Sequence, residues 1–452
     1  MRRISSLVLI LIVGALFLML QMFIIHKLLE RNKSEVLTVN SQAPVQYRAV
    51  SLFMSVVNEL YAPVFLVEPS LLTAIMQKRL GNLKKKHDCE FLCTSRNKTT
   101  FAAVGHLLVQ KEELLSSLEN RGFKILKTEG PDPQVTSHHH TTSNLVPYHY
   151  LLKYQNHLIH LVLFYERSSL YFWKAPLKLP ELSSLNLQEI YLQNGTFASP
   201  YSAAIKKAEV TEIKIDGIFL KVPKRPNQFL TSLKNSKFLE CNYQQAEEFY
   251  RAYPKDESLV ALDFKSKAVQ VISQGQKILD ELGVPFWLSS GTCLGWFREC
   301  NIIPHSKDVD FGIWVVDYKQ SIISAFEMNG WMLKHILGKV EDSFELSFLH
   351  NNGLKLDLFF FYEEKDHVWN GGTDVYTAAK YKYSFPKFSL CWTEFQSMLV
   401  RVPCETQPYI EANYGKYWRK KVEEWDWKSS PPNVRENGHW LEEEYQDVIQ
   451  VF

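Results

Sequence analysis

Asp308 and Asp310 stand one residue apart at the head of the apolar run Val309, Phe311, Gly312, Ile313 and Trp314. Side chains alternate along an extended strand, so both acids share a face while Val309 and Phe311 point into a core. A third acid, Asp357, is isolated in Leu354-Lys355-Leu356-Asp357-Leu358-Phe359-Phe360-Phe361-Tyr362. It lies on the face opposite Leu356 and Leu358, where a neighbouring strand brings it beside the first pair. Converging carboxylates repel unless a cation sits between them. Mg²⁺ or Mn²⁺ suits that position, because such ions take carboxylate oxygens together with substrate phosphates. An isolated Asp-x-Asp is more often a solvated edge-strand charge, but a glycine turn, Ser290-Gly291-Thr292, precedes this one. Between a strand and a helical turn its backbone N–H groups and hydroxyl can cradle a phosphate, although the same residues also make an ordinary strand-to-helix cap.

The elements that must position these residues follow from periodicity. Apolar residues recur at Ala261, Phe264, Ala268, Val271, Ile272, Ile278, Leu279 and Leu282, one face of a helix that Gly283 ends. Next come a buried strand Val284–Leu288, the glycine turn, a short helix Cys293–Arg298, a strand Lys307–Val316 and a helix Tyr318–Met328. Strands Ser343–Phe348 and Leu354–Tyr362 follow, the latter after the turn Asn351-Asn352-Gly353. The fold class is α/β: a catalytic domain with a mixed sheet over residues 256–452, preceded by an α/β domain over 51–255.

The first half repeats this order in weakened form. Ala62-Pro63-Val64-Phe65-Leu66 resembles Val284–Leu288, Asp88-Cys89-Glu90-Phe91 resembles Asp308–Phe311, and Ile159–Glu166 resembles Leu356–Glu363. Each half closes on a Val-Pro, Val222-Pro223 and Val402-Pro403. Either the first half is a degenerate copy or it is an α/β stem of separate origin. As a copy it is catalytically silent: His160 falls where the third acid would stand, and Glu68-Pro69-Ser70 replaces the glycine turn.

Composition narrows the class. Hydrophobic residues make up 46% of the 452 and charged residues 22%, as in ordinary globular chains. Lys plus Arg total 51 against 49 Asp plus Glu, so no global field would hold nucleic acid. Leu7–Ile25 is uncharged and long enough to span a bilayer, and no small-x-small cleavage site follows it. It reads as a signal anchor after a tail of residues 1–6, with 26–50 as a stem linker. Sequons at Asn32, Asn97 and Asn194 are meaningful on the lumenal side; Asn32 is too near the membrane, leaving Asn97 and Asn194 as glycosylation sites. Seven cysteines without a Cys-x-x-Cys pair exclude a zinc ribbon; in an oxidising lumen some pair and at least one is left over.

A glycine turn, then Asp-x-Asp, then a lone Asp in a later strand is the order of the polymerase-β-like nucleotidyltransferase superfamily, which this chain resembles. A narrower resemblance lies in Leu288-Ser289-Ser290-Gly291-Thr292-Cys293-Leu294-Gly295-Trp296-Phe297-Arg298, Ile303-Pro304 and Asp308-Val309-Asp310. Val402-Pro403, Tyr409-Ile410 and Tyr414-Gly415-Lys416-Tyr417-Trp418 extend it. These are similar to the LicD family of phosphocholine and polyol-phosphate transferases, and the whole chain, through Trp425-Asp426-Trp427-Lys428 to its end, resembles a vertebrate member. It departs from the family pattern after Ile-Pro, where His305-Ser306-Lys307 replaces an aromatic and further acids.

The resemblance implies a single-pass type II protein of the Golgi membrane that takes ribitol 5-phosphate from CDP-ribitol to the phosphorylated O-mannosyl glycan of α-dystroglycan. It implies partnership with other O-mannosyl glycan enzymes there. It gives Asp308, Asp310 and Asp357 the metal, Ser290, Gly291, Thr292 and Arg298 the donor phosphates, and Asp357 also the attacking hydroxyl. Trp369, Trp392, Trp425 and Trp427 are candidates to stack on cytosine or sugar, although core packing is the commoner role. Two other readings remain: a nucleotidyltransferase that makes the activated polyol with the same acids, and a non-catalytic scaffold for the glycosylation enzymes, against which the intact acids argue. His138-His139-His140 beside Thr141-Thr142-Ser143 reads as a solvated loop.

Overall fold

The computed structural model describes residues 19–22, 43–79, 89–94, 96–109, 113–133, 145–167, 171–178, 196–422 and 424–452. Asn32, Asp88, His138–His140, Asn194 and most of Leu7–Ile25 lie outside the described residues. Among the described residues no helix is long and apolar enough to cross a membrane.

The first half opens with α1 (Val45–Glu59), β1 (Val64–Leu66) and α2 (Pro69–Arg79), followed by β2 (Lys98–Val104) and α3 (Glu113–Asn120). Then run β3 (Lys124–Pro131), β4 (Leu145–Tyr154), β5 (His157–Arg167), β6 (Tyr171–Lys174) and β7 (Ala203–Lys206). These seven strands form one sheet, in the order β1-β2-β5-β4-β3 with β6 between β5 and β7. A hairpin, β8 (Val210–Ile215) and β9 (Ile218–Pro223), and α4 (Pro226–Lys234) complete the half.

The second half begins with α5 (Tyr243–Ala252), which packs on a later helix and is tied to it by the Cys241–Cys300 disulfide. Then α6 (Leu259–Leu282) starts where Ser258 Oγ accepts from the Ala261 amide and stops at Gly283, whose φ of 65° is left-handed. There follow β10 (Trp287–Leu288), α7 (Ser290–Glu299), β11 (Asp308–Trp314) and α8 (Ser321–Met328). Next are β12 (Met332–Lys339), β13 (Asp342–Leu349), β14 (Lys355–Glu363), β15 (His367–Thr373) and β16 (Ala379–Pro386). The hairpin β17 (Leu390–Phe395) and β18 (Met398–Pro403), α9 (Thr406–Tyr414), β19 (Val434–His439) and β20 (Ile449–Val451) end the chain. Nine strands form the second sheet: β10 pairs β11, β11 runs parallel to β14, and β14 is flanked by β13 and β15. α6 lies close to this sheet because residue 275 is glycine; a Cβ there would stand 2.9 Å from Leu356 and 3.1 Å from Phe311.

The two halves share one plan. In each, a helix precedes a short strand that pairs antiparallel with the next (β1 with β2, β10 with β11). That second strand runs parallel to a central strand (β2 with β5, β11 with β14). The central strand is antiparallel to both its remaining neighbours, and in each half a hairpin ending in Val-Pro is followed by a helix. Register fixes which residues correspond. Leu66 faces Phe101 as Leu288 faces Phe311, and from there Lys98, Thr100, Leu158 and His160 fall where Asp308, Asp310, Lys355 and Asp357 stand.

The sequence match of Asp88–Phe91 to Asp308–Phe311 is therefore corrected. Cys89 and Glu90 lie before β2, in a loop closed by the Cys89–Cys93 disulfide and held by Asp216, whose carboxylate accepts from the amides of Glu90, Phe91 and Leu92. A third disulfide joins Cys391 and Cys404, and Cys293 is free and buried. The halves have separate cores, one reaching Phe238 and the other starting at Cys241. Between them buried Arg167 bonds both carboxylate oxygens of Glu240 at 2.7 and 3.0 Å and lies 3.3 Å from Glu394, to which Tyr171 also donates.

Candidate active site

β11 forms as the sequence pattern predicts, with Val309, Phe311 and Ile313 buried on one face and the two acids on the other. Parallel pairing with β14 sets Asp310 directly beside Asp357. Asp308, Asp310 and Asp357 each offer a carboxylate oxygen within 4.8 Å of the others, close enough to hold one cation. Asp310 and Asp357 are buried, and Asp308 is partly exposed. Burial, then the charges of Asp308 and Asp357, raise the Asp310 carboxyl well above the usual carboxylate range. Burial and Asp357 raise Asp308 in the same way. Burial raises Asp357 too, against the opposing pull of Lys355. Three carboxylates so arranged, two of them buried, are hard oxygen donors that fit Mg²⁺ or Mn²⁺.

Each acid has a local support. The Asp310 amide donates to Thr292 Oγ1 at 2.9 Å, Ser306 Oγ lies 3.2 Å from the Asp308 carbonyl, and Ser347 Oγ bonds Asp357. The glycine turn sits opposite at the start of α7. Ser289 Oγ is pinned by the Tyr409 hydroxyl at 2.8 Å, and Ser290 is held at a φ of +39°, strained for a residue with a Cβ. A Cβ on Gly291 would stand 3.6 Å from Asp310 Oδ2 and 3.9 Å from the Tyr414 hydroxyl, so glycine leaves open the space between turn and acids. Turn and acids line one cavity of about 520 Å³. Trp425 and Trp427, 42% and 40% exposed, form part of its wall, with Trp425 4.8 Å from Tyr414 between ring centres.

Not every expected residue arrives there. Thr292 turns its hydroxyl to β11 and positions Asp310 instead of lining the cavity. Arg298 is buried at the far end of α7, bonded to Glu299 and to the carbonyls of Trp418 and Lys420, and is absent from the lining; its assignment to donor phosphate is corrected. Trp369 stacks on Tyr362 at 4.3 Å and Trp392 packs against the first core under Arg401, so neither faces the cavity. Asn97 is exposed just before β2. Lys355, not among the expected residues, joins the acids. Two residues before Asp357 on the same strand, it shares that acid's face, and alternation alone would have found it. Its Nζ lies 2.7 Å from Asp357 and 3.7 Å from Asp308. Burial lowers its pKa, but Asp357 and Asp308 outweigh this and hold it above the normal lysine value.

Residues 283–405 match the family described as LicD/FKTN/FKRP, nucleotidyltransferase domain. With the strand order and the acid cluster, this defines the class: a nucleotidyltransferase-type domain of the LicD kind. Residues 1–269 match the family described as Fukutin N-terminal. The proteins named Ribitol-5-phosphate transferase FKTN from Homo sapiens and Mus musculus are each 45% identical to this chain over 412 residues, covering 90% of it and 88% of theirs. The chain belongs to the fukutin family. Ribitol 5-phosphate transferase FKRP from Mus musculus is 25% identical over 148 residues, 30% of this chain and 29% of that protein. The crystal structure of the Megavirus polyadenylate synthase aligns with 74% of this chain and 61% of its own at 9% identity and a TM-score of 0.21, too low to bear on the fold.

Proposed function

We infer that the protein is a ribitol-5-phosphate transferase. The observation that carries this is the meeting of Asp308, Asp310 and Asp357 with Ser290 and Gly291 in one cavity, in a chain 45% identical over most of its length to proteins of that name. The donor is CDP-ribitol and the acceptor the phosphorylated O-mannosyl glycan of α-dystroglycan. The acceptor hydroxyl oxygen bonds to the ribitol-bearing phosphorus, the bond from that phosphorus to the CMP oxygen breaks, and CMP leaves. Asp308, Asp310 and Asp357 would hold Mg²⁺ or Mn²⁺, which supplies charge to the phosphate oxygens as a Lewis acid. Asp357, fixed by Ser347, orients the attacking hydroxyl and receives its proton. The backbone at Ser290 and Gly291, at the N-terminus of α7, faces the donor phosphates. Trp425 and Trp427 offer faces for cytosine or sugar.

The same reading gives a Golgi membrane protein of single-pass type II topology, anchored by Leu7–Ile25 and carrying glycans at Asn97 and Asn194, working beside other O-mannosyl glycan enzymes. Incubation of the protein with CDP-ribitol, CDP-glycerol or CDP-choline and a phosphorylated O-mannosyl acceptor should release CMP from CDP-ribitol alone, and chelation should stop it. No CMP from CDP-ribitol with metal and acceptor present would reject the activity. A cytosolically accessible tag after Phe452, with neither asparagine glycosylated, would reject the topology.

A further inference from the structure

Lys355 has no part in the reaction so far derived, yet it stands in the middle of its machinery. Its Nζ lies 2.7 Å from Asp357 Oδ2 and 3.7 Å from Asp308 Oδ2, two of the three carboxylates whose oxygens converge within 4.8 Å. An ammonium in that place and a divalent cation on the same oxygens exclude one another by charge and by space. The fold does not require a lysine there, because the corresponding position in the first half is Leu158, facing Lys98 as Lys355 faces Asp308. The side chain is 35% exposed and lines the same cavity as Ser290 and Gly291, so its flexible stem has room to carry the charge elsewhere.

We propose that Lys355 is a displaceable counter-cation of the acid cluster, which yields Asp308 and Asp357 to the divalent metal and moves its ammonium to the phosphates of the CDP donor. This rests on the reading of the acids as the metal site. Metal alone must then compete with a built-in cation and binds weakly. Nucleotide gives that cation a new anionic partner, so metal and donor promote each other's binding, and the promotion is reciprocal. The enzyme is thereby kept from committing its metal before donor is present.

Mn²⁺ binding to the full protein, followed by the electron paramagnetic resonance of the free ion with and without CDP, tests this without turnover. In the parent protein CDP should tighten Mn²⁺ binding about tenfold or more. Lys355→Met, which keeps the stem and removes the charge, should bind Mn²⁺ alone about tenfold more tightly than the parent and lose most of the CDP effect. Lys355→Gln should behave like it, and Lys355→Arg should keep the coupling. Mn²⁺ binding by Lys355→Met and Lys355→Gln no tighter than the parent's, or a CDP effect as large as the parent's, would overturn the proposal while leaving the metal site standing. Failure of the parent to bind Mn²⁺ in a manner abolished by Asp310→Asn would overturn the metal site itself, and this proposal with it.

Discussion

At corresponding positions of one strand plan, the first half carries Lys98, Thr100, Leu158 and His160 and the second carries Asp308, Asp310, Lys355 and Asp357. The first set has no acid and the second has three. The turns differ in the same sense: Glu68-Pro69-Ser70 has a carboxylate where Ser290-Gly291-Thr292 leaves open backbone. In the first half that carboxylate folds inward, with Glu68 accepting from Thr100 Oγ1 at 2.6 Å. His149 and His160 lie 3.0 Å apart, buried, and Lys174 donates to Ser199 at 2.7 Å, fully buried. At these positions the first half turns its polar groups inward onto one another, and the second leaves its acids facing a cavity. A shared backbone decides where chemistry can sit; the side chains at four strand positions and one turn decide whether it does.

The largest effect should come from the acids. Asp308→Asn and Asp310→Asn keep side-chain size and remove a charge from the proposed metal site, so metal-dependent CMP release should fall at least about a thousandfold with the fold retained in circular dichroism. More than a tenth of the activity kept in either variant would remove these acids from the chemistry that separates the two halves.

Gly291→Ala tests the turn. The added methyl enters the space between turn and acids, and turnover should drop about a hundredfold through misplaced phosphate, with unchanged thermal stability. An unimpaired variant would mean that donor does not approach this turn.

Acid should separate the halves. Burial lowers the His149 pKa to about 3, with Lys174 adding to the effect, and takes His160 well below its ordinary value. Both stay neutral in the fold while the unfolded chain protonates below about 6.5. Their contribution to stability is therefore complete above that pH and is lost as pH falls from about 6.5 toward about 3, by up to about 1.4 kcal/mol per imidazole per pH unit. The metal-free acids of the second half, raised by burial and repulsion, have the opposite sign: protonation favours the fold as pH falls through their shifted values. Hydrogen exchange at pH 5 against pH 7 should show protection lost first in β4 and β5. Earlier loss in β11 and β14 would contradict the assignment.

The smallest effect concerns the cavity wall. Trp425→Ala should raise KM for CDP-ribitol about tenfold, the cost of one lost base-stacking surface, and leave kcat within twofold. Trp369→Ala, which removes a ring stacked on Tyr362, should lower the melting temperature and spare KM.

Much of the site was legible in sequence because strand alternation is a rigid rule: it put Asp308 and Asp310 on one face, and the apolar run around Asp357 marked the partner strand. The same rule marks Lys355. Arg298 was misread because proximity in sequence to the glycine turn says nothing about direction along a helix; the length of α7 carries it to the opposite end. Thr292 was half legible, since a hydroxyl one residue past the turn serves β11 or a ligand equally well on paper. The duplicated order was visible, but Asp88–Phe91 was a false match, because four residues cannot distinguish a strand from a disulfide loop; hydrogen-bond register can. The division into cores beside Phe238 depends on which faces pack together, and no local signal encodes that.

If the three acids carry the transfer, its chemistry resides wholly in the second half and the first repeats that frame without its function. CMP release from CDP-ribitol, with metal and acceptor, measured side by side for Asp310→Asn and for Thr100→Val at the corresponding position, tests it most directly. Release should be lost in Asp310→Asn and stay within about twofold of the parent in Thr100→Val, a substitution of nearly equal volume outside the acid cluster. Release retained in Asp310→Asn, or lost in a folded Thr100→Val, would contradict it.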